Sequence, residues 1–401
     1  MDNSITLNLH QTARAVAACV RANRTPLVIG SPGVAKTALV RAITPLIGRS
    51  LGHEDYPIIT CILSNMEAVD VGGLPVVLHD GSAARRLFGS LRVAAETGGL
   101  LNLDELTACS PSVQGPALRL VLEKFAGDTP LHDRTRIVCL ANHPDHAPGG
   151  IQMTAALVNR VVVLHCRPSL QEVVDYFCGR ETARLDVGLD DLVTDEATWT
   201  ARRTQIMATA GACFEVQPDL VCFDPPAASV SDGQPFGSPR AWEACCEVLA
   251  SLPGLDGNDA VVQALAMGAV GAGSAIPFLS IMRARMHLPT VKEVLADPKR
   301  AKVPSAQDEE ILLDVTTGKK LGRDVVFATI PLTIEVARVD TYAALLYMAR
   351  LPDEIQAAVV KTLASRITVP SGGSHWAMEG HPALLAAIDK LRGYTSSPSA
   401  N

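Results

Sequence analysis

The stretch VIGSPGVAKTALV, residues 28 to 40, runs from an apolar β-like segment through a Gly/Pro turn into a helix-forming segment that starts at about Lys36. Its spacing follows the phosphate-loop pattern G-x-x-x-x-G-K-[ST] except in one slot, where Ala35 stands before the lysine in place of glycine. A strand, a glycine turn and a helix start in that order are what a phosphate cradle needs. Glycines let backbone N–H groups approach anionic oxygens, and the helix N-terminus adds positive partial charge. Gly30, Ser31, Pro32, Gly33, Val34, Ala35, Lys36, Thr37 and Ala38 are the candidate loop residues. Lys36 would contact the outer phosphates, and the Thr37 hydroxyl would ligate Mg2+. The alternative for this segment alone is a plain turn before an ordinary helix.

A second segment narrows the choice. GGLLNLDEL, residues 98 to 106, is an apolar run ending in Asp104 and Glu105. Acids at the carboxyl end of a buried strand face the ligand crevice of an open α/β sheet. Asp104 would hold Mg2+ through water, and Glu105 would act as general base on the attacking water. A third run, RIVCLAN, ends at Asn142, which could position that water or touch the γ-phosphate, or simply begin a turn. Arg160 stands between TAALVN and VVVLHC, either as a finger reaching a neighbouring subunit's nucleotide or as a surface ion-pair partner. Arg240, in GSPRAWE, opens a helix of the second part of the chain and could report nucleotide state to it.

The 401 residues are 48% hydrophobic and 19% charged, a globular balance that excludes a disordered or fibrous chain. A net charge of −7 argues against a generally cationic surface for nucleic acid. The ten cysteines include no C-x-x-C pair, which points to reduced thiols in a cytoplasmic protein. Vicinal Cys245 and Cys246 would pack and not react. The chargeless run AVVQALAMGAVGAGSAIPFLSIM, residues 260 to 282, is long enough to span a bilayer. Its Ala/Gly content, with Gln263, Ser274 and Pro277, fits a closely packed helical region better. His143, Asp145 and His146 have metal-ligand chemistry in a short, Pro-interrupted loop with too few partners for a closed site. His375 and His381 read as loop residues.

Short Val/Ile/Leu runs without alternation, separated by helical patterns, predict a parallel sheet between helix layers that ends near residue 166. A hairpin at about residues 73 to 87 is predicted by Asp80-Gly81. The rest reads as mostly helical.

Taken together, these segments resemble the MoxR-like branch of the AAA+ ATPases, which commonly has G-x-P-G-x-A-K-T in its phosphate loop. The likeness extends through DVGGLPV, LDEL, LRLVLEKFAGDTPL, ANHPD, ALVNRVVVLH and SPRAWE, and more weakly through LPTVKEVLADP. It is good over residues 8 to 300 and poor beyond. The resemblance implies a three-layer α/β/α P-loop domain over residues 1–166 with a five-stranded parallel core sheet. It further implies a smaller all-helical lid over 167–300, with 301–401 as a helical extension or docking module. ATP and Mg2+ would be the cofactors, at the interfaces of a homo-oligomeric ring, a hexamer by the family's pattern. By motif, Lys36 and Thr37 take the loop roles, Asp104 and Glu105 the acid roles, Asn142 the sensor role, Arg160 the finger role and Arg240 the second-sensor role. VNRV departs from the DRF that many members carry, so Arg119, Arg134 and Arg136 compete with Arg160 for the finger. The implied activity is remodelling of a protein client, with a von Willebrand factor type A domain protein as the expected partner and no membrane. The alternatives are a nucleic-acid motor, for which Arg85 and Arg86 in the hairpin would serve, and a nucleotide-gated scaffold with little turnover.

Overall fold

The computed structural model describes residues 5–143, 153–180, 192, 195–256, 259–285, 287–304 and 322–364. The apolar runs form strands covered on both faces, as non-alternating patterns require. In chain order the strands are β1 (Thr6–Leu7), β2 (Thr25–Gly30), β3 (Ile58–Ile62), β4 (Leu74–Val77), β5 (Ala83–Arg86), β6 (Leu100–Asp104), β7 (Phe125–Ala126), β8 (Thr129–Pro130), β9 (Arg136–Asn142) and β10 (Val161–Cys166). Six of them make one sheet in the order β1-β10-β2-β9-β6-β3, parallel throughout. That is one strand more than the five expected. The additional strand, β1, pairs only Thr6 with His165 and Leu7 with Cys166, too short a run to show a period in sequence. The two remaining pairs are hairpins: β4–β5, which turns at Gly81 (φ 82°), and β7–β8, which the sequence reading did not separate from its surroundings.

The helices are α1 (Leu9–Arg21), α2 (Lys36–Ser50), α3 (Ala68–Gly72), α4 (Gly89–Glu96), α5 (Pro111–Glu123), α6 (Ala155–Val158), α7 (Leu170–Phe177), α8 (Glu196–Val216), α9 (Ala227–Ser231), α10 (Pro239–Ala250), α11 (Ala260–Val270), α12 (Ala272–Arg285), α13 (Val291–Ala296), α14 (Gly322–Val339), α15 (Thr341–Met348) and α16 (Asp353–Ala364). Side chains alternate across a strand, so each sheet face has its own set. Leu27, Ile29, Leu101, Leu103, Ile137 and Cys139 pack with residues of α4, α5 and α6 on one face. Helices α1 and α11 lie against β10, and α2 against β6, within the same unit. Helix α1 is buried along most of its length, and its alanines at positions 13, 15, 17 and 18 allow neighbours to come close.

The chain divides into two compact units, residues 1–204 with 221–276, and residues 205–220 with 277–401. The division therefore does not fall at 166/167. Helices α10 and α11, expected in a separate lid, belong to the unit that holds the sheet. The reason is direct backbone packing: a Cβ on Gly268 of α11 would stand 2.0 Å from the Val163 carbonyl oxygen of β10. The chargeless run 260–282 breaks at Gly271 (φ 79°), where a Cβ would stand 2.3 Å from the Pro235 carbonyl oxygen. No helix among the described residues is long and apolar enough to cross a membrane.

In its described residues the second unit is helical, with a core of Val294, Ile330, Leu332, Ile334, Tyr347, Ile355 and Val359 among others. The Tyr347 hydroxyl donates to the Lys302 carbonyl at 3.0 Å. Arg285 pairs with the buried Glu335 and donates to Thr209 Oγ1 at 3.2 Å, so this internal carboxylate is neutralised.

Two glycines test the packing of the first unit. Gly268→Ala should destabilise the protein by about 1–3 kcal/mol in a urea titration, because the added methyl has no space. Gly273→Ala, in α12 with nothing within 4 Å of the added carbon, should instead stabilise it by about 0.5–1 kcal/mol.

Candidate functional site

Strand β2 is buried over all six residues and ends at Gly30, directly beside Asn142, the last residue of β9. A side chain at Gly30 would meet the Cys166 carbonyl oxygen at 2.7 Å, so the end of β10 closes that flank. The chain then turns through Ser31, Pro32 and Gly33 (φ 80°) and enters α2 at Lys36. Ala35 is the N-cap and sits in the left-handed region, at φ 66° and ψ 23°. This is the slot where the usual pattern has glycine, and the backbone here keeps the glycine conformation with an alanine in it. Alanine brings no side-chain cap, so the first N–H groups of a fifteen-residue helix have no side-chain acceptor. The cradle fits an anion whose oxygens would take those donors, with the helix dipole adding to the attraction.

The side chains around the cradle are already joined. Lys36 Nζ donates to the Gly30 carbonyl at 2.9 Å, the Ser31 carbonyl at 3.0 Å and Asn142 Oδ1 at 2.9 Å. Burial pulls the Lys36 pKa below its ordinary value, while the Asp104 and Glu105 carboxylates oppose that pull. Thr37 Oγ1 donates to Asp104 Oδ2 at 2.7 Å. A hydroxyl and a carboxylate held together are hard oxygen donors of the kind Mg2+ takes when phosphate and water complete its shell. Asp104 Oδ1 accepts the Glu105 N–H at 2.9 Å. Glu105 itself lies in the left-handed region (φ 59°) and accepts a hydrogen bond from Ser64 Oγ.

Ser64 had no part in the sequence reading. It follows β3, whose last residue Ile62 pairs with Asp104, so a polar residue just beyond that strand arrives at the same edge as the acids. That pairing is a tertiary fact, and the only hint in sequence is a serine after an apolar run. Thr37, Lys36, Asp104, Glu105 and Asn142 are thus brought together as expected from their motifs, with Ser64 added.

Arg160 and Arg240 are elsewhere. They line a cleft of about 350 Å³ together with Asn23, Thr25, Lys124 and Val161. Thr25 and Val161 begin β2 and β10, whereas Gly30 and Cys166 end them. The cleft is therefore at the amino edge of the sheet, separated from the cradle by the length of β2, roughly 17 Å at ~3.3 Å per residue. Arg240, expected in the second-sensor role and among the cofactor-binding residues, is not beside the loop of its own chain: helix α10 packs within the sheet unit and carries it to Arg160. Burial, then the nearby Arg240 charge, lowers the Arg160 pKa. The competing arginines are engaged elsewhere. Arg119 pairs with Glu123 at 2.9 Å, Arg134 donates to the Asp55 carbonyl at 2.5 Å, and Arg136 donates to the Asp133 carbonyl at 2.7 Å.

No cluster of three His, Cys, Asp or Glu residues suited to a metal occurs among the described residues. Asp145, His146, His375 and His381 lie outside them. Cys245 and Cys246 are buried, and burial raises both thiol pKa values, so they pack as core residues. No family model and no curated protein matches the chain. Among solved structures, it is similar to a candidate ATPase from Cytophaga hutchinsonii at 16% identity and a TM-score of 0.36, over 61% of this chain and 75% of that one.

The geometry at Ala35 makes a direct prediction. A non-glycine residue in the left-handed region costs about 1–2 kcal/mol, against a glycine entropy penalty of about 0.5–1 kcal/mol. Ala35→Gly should therefore leave the fold intact and raise its unfolding free energy by up to about 1.5 kcal/mol, read by thermal or urea melting.

Proposed function

We propose that this protein is an AAA+ ATPase of the MoxR-like type, which hydrolyses ATP with Mg2+ at the interfaces of a homo-oligomeric ring and uses the energy to remodel a protein client. The Thr37–Asp104 hydrogen bond carries the reading, because it joins the helix start of one motif to the strand end of another, far apart in sequence.

In this reading the N–H groups at the start of α2 and the Lys36 ammonium hold the phosphates of ATP. Lys36 exchanges its carbonyl acceptors for phosphate oxygens and keeps Asn142 as neighbour. Thr37 and Asp104 would hold Mg2+, which when bound would supply charge neutralisation at the phosphates. Glu105 takes the proton of the attacking water, and its bond to Ser64 holds it in place until then. Arg160 and Arg240 stand too far along the sheet to reach their own chain's loop. They suit the γ-phosphate of a neighbouring subunit, which is what makes a ring, a hexamer by family likeness, necessary for turnover. The client is a protein with a von Willebrand factor type A domain, on the strength of family likeness.

A nucleic-acid motor is less well supported. Arg85 of the hairpin stays about half exposed, with its guanidinium within 3.5 Å of the Gly72 and Gly73 carbonyls and 4.0 Å from Asp128, and the chain's net charge of −7 weighs against the motor. A DNA-stimulated, salt-sensitive turnover would favour that motor instead.

Steady-state ATP hydrolysis and equilibrium ATP binding test the proposal. Glu105→Gln should lower kcat by about 100-fold or more while leaving ATP binding intact. Lys36→Ala should lose ATP binding, and chelation of Mg2+ should stop turnover. Arg160→Ala should lower kcat by about 1,000-fold, and mixing it with Glu105→Gln subunits should restore part of the rate. Parental protein without ATP turnover, or Glu105→Gln turning over at the parental rate, would overturn the enzyme reading and leave a nucleotide-gated scaffold.

A further inference from the structure

The cleft at the amino edge of the sheet has more positive charge than Arg160 and Arg240 supply. Its lining also includes Arg24, Lys124 and the single carboxylate of Glu123. Arg24 is matched by Glu247 at 2.5 Å and Glu243 at 3.2 Å, and the Glu123 carboxylate accepts Arg119 Nε at 2.9 Å. Lys124, Arg160 and Arg240 remain, with no carboxylate pairing any of them among the described residues. The Lys124 ammonium donates to Asn23 Oδ1, a neutral acceptor also in the lining.

Left-handed backbone accompanies this charge. Four non-glycine residues have positive φ among those described: Ala35 and Glu105 at the cradle, and Asn23 (55°) and Lys124 (57°) in the cleft. Asn is a residue type that tolerates this region, and Lys124 occupies it as the left-handed C-cap of α5, where its N–H donates to the Leu120 carbonyl at 3.1 Å. The Lys124 ammonium is held among like charges, on a left-handed backbone, beside an open cavity.

We propose that Lys124 is a third phosphate-contacting cation of this cleft, acting with Arg160 and Arg240 on the terminal phosphate of a nucleotide held in a neighbouring subunit. The inference rests on the ATPase reading and extends it to a residue no motif marks. Lys124 differs from its two partners in one respect: it can lose its charge. Burial lowers its pKa from 10.5 to about 8, and Arg136 and Arg24 push it the same way. Arg160 and Arg240 add positive charge across the cleft, and Glu123 is the acid that faces them. The ammonium is charged below about pH 7 and is lost as pH rises through about 8. An arriving phosphate favours the charged form, so the dependence belongs to the free enzyme and to kcat/KM.

The test uses variants that suit the left-handed backbone. Lys124→Gly and Lys124→Asn remove the cation at a site both residues tolerate, so the melting temperature should not fall. Both should lower kcat by about tenfold to a hundredfold, the worth of one charge-assisted hydrogen bond, with ATP binding to the variant's own loop unchanged. Mixing Lys124→Gly with Glu105→Gln subunits should restore turnover, because one interface then has an intact cleft and an intact base. In the parent, kcat/KM should fall with a midpoint near pH 8, and Lys124→Arg should remove that midpoint. Parental kcat within twofold in both Lys124→Gly and Lys124→Asn, or a mixture that recovers nothing, overturns the role of Lys124 while active parental protein keeps the ATPase reading. Inactive parental protein overturns both.

Discussion

Parallel pairing on both sides of β2 is the constraint on which the rest of the sheet unit depends. All six residues of that strand are buried, with β9 in register on one side and β10 on the other. Strands that all run the same way deliver their last residues to one edge and their first residues to the other. Gly30, Asp104 and Asn142 therefore meet at the carboxyl edge, and Thr25 and Val161 mark the amino edge. One direction of strand travel thus separates two groups of chemistry: acids, a lysine and a helix start at one end, and at the other Lys124, Arg160 and Arg240, which have no carboxylate partner among the described residues. In the proposed ring, that separation lets one subunit's cations serve the next subunit's phosphates.

The unit holds left-handed backbone at both edges. Ala35 and Glu105 occupy glycine-like backbone at the cradle, and Asn23 and Lys124 do so at the cleft. At Ala35 the strain has a visible counterpart, since the same residue leaves the helix start without a side-chain cap. An anion at that position would satisfy donors that the chain itself leaves open. The Thr37–Asp104 and Lys36–Asn142 contacts hold the surrounding side chains at the mouth of the loop without a ligand.

Much of this was legible in the residues. The apolar runs gave five of the six sheet strands, and Asp80-Gly81 gave the first hairpin. Other features depend on long-range packing that leaves no periodic trace. Strand β1 is only two residues long and is recognised by its pairing with β10. Helices α10 and α11 look like any amphipathic or apolar helices; the fit of Gly268 against the Val163 backbone places α11 on the sheet, and α10 packs on α11 and α1. Ser64 could not be linked to Glu105 without knowing that β3 pairs with β6.

The sequence by itself determined the cradle: a strand, a glycine turn, Lys36 and Thr37 are contiguous, and local backbone preference builds such a unit wherever it folds. It also determined that Asp104 and Asn142 end strands, with Glu105 one residue beyond, because apolar runs stop at them. Tertiary structure decided which strands are neighbours, and so that Thr37 meets Asp104 and Lys36 meets Asn142. It also decided that Arg240 stands with Arg160 and Lys124, away from its own loop. Strand order and helix packing join residues distant in the chain, and no local preference encodes the distance between them.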